Sequence, residues 1–120
     1  MKRKLLIVDD EELMRKSLKT CLTIKGYEVE TAQDSDEAFK LIEEFNPDIM
    51  LLDLYLQKGL SGIEILKRAK AMKPDLKVVM QTGFGEQKQI EQDCIRLGAL
   101  KFLYKPMRAN EITEELDKVT

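Results

Sequence analysis

The sequence contains no histidine and no tryptophan. Without histidine, a His general base, a His metal ligand and a Ser-His-Asp arrangement within this chain are all excluded. Cysteine is scarce. Cys21 and Cys94 are too few and too far apart for a zinc site. Both fall at apolar positions of helix-like patterns, which predicts buried free thiols in a reducing compartment. There is no basic excess: 20 Lys and Arg stand against 22 Asp and Glu, a net charge of −2. Nucleic-acid binding by counterion displacement is therefore not expected. No window approaches the roughly 18 apolar residues that cross a bilayer, so no membrane span is expected. After Lys2-Arg3-Lys4 only four apolar residues precede Asp9, short of the roughly 7 in a secretory h-region. The expected location is the cytoplasm.

What remains is 120 residues, 43% hydrophobic and 35% charged. That composition reads as one soluble globular domain over residues 1–120. A chain of this size buries roughly 65% of its unfolded surface, enough for a core without staples.

Short apolar runs alternate with longer amphipathic stretches. Leu5-Leu6-Ile7-Val8 predicts a first strand that ends in acid. Residues 11–25 carry Met14, Leu18, Cys21 and Leu22 at helical spacing, and Gly26 stops that helix. Tyr27 to Thr31 predicts a second strand. Asp34 with Glu37 forms a capping-box pattern opening a helix with Ala38, Leu41, Ile42 and Phe45 on one side. Ile49-Met50-Leu51-Leu52, apolar on both faces, fits a central parallel strand. Ser61 with Glu64 caps a third helix running to about Met72, and Pro74 breaks it. Leu76 to Met80 predicts a fourth strand. Ile90, Cys94 and Leu97 mark a fourth helix closed by Gly98. Leu100 to Tyr104 is the fifth strand, and Ala109, Ile112, Leu116 and Val119 stripe the last helix. Five β-α units imply a parallel sheet with right-handed crossovers and helices on both faces. Periodicity alone leaves the strand order open.

In such sheets the functional crevice lies beyond the carboxyl ends of the strands. The first strand ends in Asp9-Asp10, followed by Glu11 and Glu12; the third ends in Asp53; the fourth ends near Thr82; the fifth ends in Lys105-Pro106. Three carboxylates, a hydroxyl and an ammonium thus converge on one sheet edge. Two unit charges about 4 Å apart repel by roughly 4 kcal/mol at an effective dielectric near 20. The acids must take up protons, a cation, or both. One or two carboxylates with water describe a Mg²⁺ site completed by phosphate. Lys105 and Thr82 would complete a phosphoryl pocket. Plainer readings stand beside this one: a helix start for Asp9 and Asp10, a solvated turn for Asp53, and a solvated Lys105. The joint placement of all five is the specific signal.

The ordered blocks Ile7-Val8-Asp9-Asp10-Glu11, Leu51-Leu52-Asp53-Leu54, Gly62-Ile63-Glu64-Ile65-Leu66, Met80-Gln81-Thr82-Gly83-Phe84-Gly85 and Phe102-Leu103-Tyr104-Lys105-Pro106, with Gly98-Ala99 before the last, span the chain. Together they resemble the receiver domain of two-component response regulators, known from bacterial phosphorelays. The resemblance implies an α/β fold: a flavodoxin-like (β/α)5 three-layer sandwich around a five-stranded parallel sheet in the order 2-1-3-4-5. It implies that Asp53 attacks a phosphohistidine on a partner histidine kinase or phosphotransfer protein, which suits a chain lacking histidine of its own. It implies that Asp10, Asp53 and the Tyr55 backbone carbonyl ligate Mg²⁺, with Asp9 acting through water. Lys105 would pair with a phosphoryl oxygen. Thr82 would swing toward the phosphoryl group and let Phe102 rotate inward, changing the surface of the fourth helix, fifth strand and fifth helix. Phe102 as ordinary packing is the alternative, and Tyr104 is expected to be structural. Gly83 fits either as room for the phosphoryl group or as loop freedom.

The loop after Asp53 departs from the family pattern. Gln57 stands where a proline is common, and Gly62 comes one residue late, so Gln57-Lys58-Gly59-Leu60-Ser61 holds an insertion. This is either a neutral surface change or one that alters metal and partner binding. Tyr55 and Phe84 flank the expected path of attacking water with no amide or acid to orient it, so slow loss of phosphate is expected. The chain would then be a signalling switch that turns over no metabolite, acting on a downstream output domain or target protein. Phosphorylation-dependent homodimerisation is expected by analogy. A phosphorylation-independent pseudo-receiver is the alternative. An aspartyl-phosphate phosphatase fits poorly, since the usual second acid two residues after the nucleophile is Tyr55 here. A flavin carrier fits poorly too, because acids occupy its phosphate loop.

Overall fold

The computed structural model describes residues 2–119 apart from Phe84 and Glu86. Strands and helices alternate: β1 (Lys4–Val8), α1 (Glu12–Ile24), β2 (Glu28–Ala32), α2 (Ser35–Glu44), β3 (Ile49–Asp53), α3 (Gly62–Met72), β4 (Lys77–Thr82), α4 (Lys88–Arg96), β5 (Ala99–Tyr104) and α5 (Ala109–Val119). The strands form one parallel sheet in the order β2-β1-β3-β4-β5, as expected.

Side chains alternate across a strand, so the all-apolar central strands must feed two cores. Leu6, Val8, Met50, Leu52, Val78 and Met80 face one side with Ala38 and Ile42 of α2, Ile65 and Leu66 of α3, and Cys94 of α4. Leu5, Ile7, Ile49, Leu51 and Val79 face the other with Leu18 and Leu22 of α1, and Ile112 and Leu116 of α5. The helical stripes read from the sequence are the stripes that close these cores.

Local signals set the boundaries. The Asp34 carboxylate accepts from Glu37 N–H at 3.0 Å, and Ser61 Oγ accepts from Glu64 N–H at 3.4 Å. Gly26 and Gly98 follow α1 and α4 with φ of 103° and 108°, a left-handed exit that glycine adopts freely. Several expectations shift, among them β4, which runs Lys77–Thr82 and not Leu76 to Met80. Tyr27 belongs to the exit from α1, because its N–H donates to Leu22 carbonyl oxygen, and β2 starts one residue later. β5 starts at Ala99, and its pairing with β4 steps over Leu100, which is left 49% exposed. Cys94 is buried as predicted, but Cys21 is only half-buried, with its Sγ 3.7 Å from Thr113 Oγ1 on α5. Among the described residues no helix is long and apolar enough to cross a membrane.

Candidate functional site

The sheet's strand order reverses at β1, which lies between β2 and β3. A crevice opens beyond the carboxyl ends of strands at such a reversal. The register pairs Val8 with Leu52, so the next residues, Asp9 just past β1 and Asp53 at the end of β3, lie side by side at the sheet's carboxyl edge. Asp9, Asp10 and Asp53 each bring a carboxylate oxygen within 4.8 Å of the others. An open cavity of ≈ 460 Å³ is lined there by Asp10, Glu11, Asp53, Tyr55, Gly83 and Lys105.

Lys105 is carried to this point by β5. Its N–H donates to Thr82 carbonyl oxygen at 2.7 Å, which extends the β4–β5 ladder by one residue. Its ammonium donates to Asp9 Oδ2 at 3.0 Å and to Asp53 Oδ2 at 3.2 Å. Asp9 is fully buried and Asp53 is 5% exposed. Asp9 is fixed from several sides: Glu11 N–H donates to Oδ1 at 2.9 Å, Gln81 Nε2 donates to Oδ2 at 3.3 Å, and Arg15 Nη1 donates to its carbonyl at 2.7 Å. Asp10 is half-exposed, and its Oδ2 accepts from Gln57 N–H at 3.0 Å.

One ammonium therefore serves two buried carboxylates, Asp9 and Asp53, and lies 3.9 Å from a third, that of Glu11. Burial, only partly offset by Lys105 and reinforced by the Asp9 charge, pushes the Asp53 carboxyl up to about 6 from 3.8. Burial alone would lower the Lys105 ammonium, but Asp53 and Asp9 outweigh it and hold the lysine above its ordinary value. The residual negative charge suits a hard cation with oxygen ligands.

The remaining predicted residues surround this centre. Thr82 is buried at the end of β4 and pairs with Tyr104 across the sheet. Phe102 is half-buried against the α4-side core, its ring 5.2 Å from that of Tyr104. Tyr104 donates its hydroxyl to Glu91 on α4 at 2.7 Å. Tyr55 is 40% exposed, its N–H 3.4 Å from Asp53 Oδ1 and its hydroxyl 2.9 Å from Gln87 Nε2. Phe84, expected beside the water path, lies outside the described residues. Gly83 has no left-handed backbone, and a Cβ there would sit at an ordinary 3.8 Å from Lys105 Cδ; loop freedom does not explain it. Gly62 is a steric requirement: a Cβ would overlap the Asp53 carbonyl and sit 2.7 Å from Leu54 Cα.

Two contributors were not singled out from the sequence. Gln81 is 1% exposed, pairs with Asp53 in register, and donates to Asp9. Its signal was a polar residue inside an otherwise apolar strand. Arg15 left no comparable signal, because it reaches Asp9 from the first turns of α1.

The family model for the response regulator receiver domain matches residues 5–117. The chain belongs to the response regulator receiver family. Sporulation initiation phosphotransferase F of Bacillus subtilis is 36% identical over 98% of this chain and 94% of its own length. Chemotaxis protein CheY of Thermotoga maritima is 33% identical over 100% of this chain and 99% of its own. Among solved structures, NtrX from Brucella abortus superposes with a TM-score of 0.90 at 34% identity, covering 98% of this chain but 27% of that longer one. Receiver domains are signalling modules, found both as short chains and joined to further domains. They bind Mg²⁺ at an acidic pocket, and Asp9, Asp10 and Asp53 supply such a pocket here.

Proposed function

We propose that this domain accepts a phosphoryl group on Asp53 from a phosphohistidine of a histidine kinase or phosphotransfer protein, in the presence of Mg²⁺. The observation carrying this reading is the gathering of the Asp9, Asp10 and Asp53 carboxylates at an open cavity, with the Lys105 ammonium bridging Asp9 and Asp53.

Asp10, Asp53 and the Tyr55 carbonyl would hold the ion, with Asp9 behind them. When bound, Mg²⁺ neutralises phosphoryl oxygens and aligns them for in-line transfer. Asp53 must be ionised to attack, so the ion and Lys105 both favour its reactive form. An Asp53 oxygen forms the new bond to phosphorus, the phosphorus–nitrogen bond breaks, and its electron pair returns to the donor imidazole. Lys105, freed from part of its pairing, turns to a phosphoryl oxygen. Thr82 then donates its hydroxyl to the phosphoryl group, and Phe102 moves inward into the space this leaves. The change is a population shift, read on α4, β5 and α5 by an output domain, a target protein or a second copy of the chain. Tyr55, tied to Gln87 at the rim, restricts attacking water, which supports slow loss of phosphate.

Intact-mass spectrometry after incubation with acetyl phosphate tests this. The wild type gains one adduct of about 80 Da that requires Mg²⁺, and Asp53→Asn gains none. An adduct that persists in Asp53→Asn, or one indifferent to Mg²⁺, would overturn the reading.

A further inference from the structure

The Gln57–Ser61 segment is tethered at two points. At one end Gln57 N–H donates to Asp10 Oδ2 at 3.0 Å. At the other, Leu60 N–H donates to Ser35 Oγ at 3.0 Å. Ser35 opens α2 and is only 3% exposed, so its hydroxyl is a fixed anchor. Between the tethers Gly59 has φ +82°, and a Cβ there would overlap Ser35 Oγ. The turn is thus seated on α2 through a contact that only a glycine and a small hydroxyl residue can make.

We infer that Ser35 and Gly59 are positioning residues for the metal site: they seat the turn on α2, and the seated turn orients the Asp10 carboxylate through Gln57 N–H. The inference rests on the reading of the acidic cluster as a Mg²⁺ site. An ionised carboxylate offers about four lone-pair positions, so accepting one N–H leaves oxygen free for a cation while removing rotational freedom. Among the described residues, Gln57 N–H is the donor that holds Asp10; Asp9, by contrast, is held by Glu11, Gln81 and Lys105. Asp10 is therefore the carboxylate whose direction depends on the loop. Partners that orient metal ligands change affinity by about 10–100-fold when lost.

Isothermal titration with MgCl₂, on wild type, Ser35→Ala, Gly59→Ala and the double variant, tests the inference, with amide hydrogen exchange at Gln57 and Leu60 followed in parallel. Each single variant is expected to bind Mg²⁺ about tenfold more weakly and to exchange both amides faster. Gly59→Ala is expected to cost less in the Ser35→Ala background, because the overlapping hydroxyl is gone. If both amides exchange faster while Mg²⁺ affinity stays within about twofold of wild type, the clamp does not act on Asp10 and the inference fails. Unchanged exchange in Ser35→Ala also overturns it, by showing that Ser35 does not seat the turn. A wild type that binds no Mg²⁺ overturns the metal reading itself, an outcome distinct from both. Should Ser35→Ala fold poorly, Gly59→Ala carries the same test from the solvent side.

Discussion

The two ends of the sheet handle charge differently. At the amino ends, polar groups are matched and open to water. Asp48 Oδ2 accepts from Lys4 N–H at 2.9 Å, Lys73 reaches Asn46, and Lys70 donates to the carbonyls of Pro74 and Leu76 at 2.6 and 2.8 Å. At the carboxyl ends, Asp9 and Asp53 are buried and share one ammonium, while Asp10 beside them is held by a backbone donor, Gln57 N–H. Exposed, matched groups cost little to keep and contribute little. A buried surplus of acid is costly unless something supplies positive charge. The difference teaches that the carboxyl edge carries a buried excess of acid of the kind that suits a hard cation, whereas the amino edge is matched within itself.

The strongest way to break this contrast is to remove the Lys105 ammonium. Lys105→Met leaves the buried Asp9 and Asp53 carboxylates without their ammonium partner, and urea denaturation at about pH 7.5 should show a loss on the order of 3 kcal/mol. Added Mg²⁺ should restore part of it. A loss no larger than that of an exposed lysine would mean the acids are not under strain.

Asp53→Asn should act in the opposite direction on the metal-free protein. Burial holds the Asp53 carboxyl at about 6 rather than 3.8. Between those values the folded protein binds a proton that the unfolded chain has released, so stability falls as pH rises through the window. Asparagine does not ionise and escapes the loss. Denaturant midpoints should show the variant more stable at about pH 7.5, by on the order of 1–3 kcal/mol, with the gap closing as pH falls toward the unfolded value. A constant gap at all pH values would assign the effect to something other than ionisation.

The smallest effect belongs to the amino edge. Asp48→Ala removes an exposed acceptor and should cost within about 1 kcal/mol in a urea melt, with Mg²⁺ affinity unchanged by titration. A shifted affinity there would link the two ends and blur the contrast.

Much of the acidic edge was legible in the sequence because each acid directly follows an apolar run. Leu5 to Val8 and Ile49 to Leu52 read as buried strands, which puts the residues after them at the sheet's edge. Lys105 was legible by the same logic at the end of Leu100 to Tyr104. Gln81 as a partner of Asp9 was not, because it depends on the β3–β4 register, which periodicity does not set. The seating of Gly59 on Ser35 was hidden for a related reason: it joins a loop to a helix 24 residues earlier in the chain (59 − 35). The half-exposure of Cys21 was missed because a helical stripe marks a direction and not a depth, and Cys21 lies at the rim facing α5.

The most direct test of the proposed Mg²⁺ site is thermal unfolding with and without about 10 mM Mg²⁺, on wild type and Asp10→Asn. Selective binding to the folded state stabilises it by about 2.7 kcal/mol at a hundredfold excess over Kd, several degrees in Tm for a domain of this size. Wild type is predicted to show that rise and Asp10→Asn to lose most of it. No rise in wild type, or an equal rise in both proteins, would contradict the assignment of the acidic edge to a bound cation.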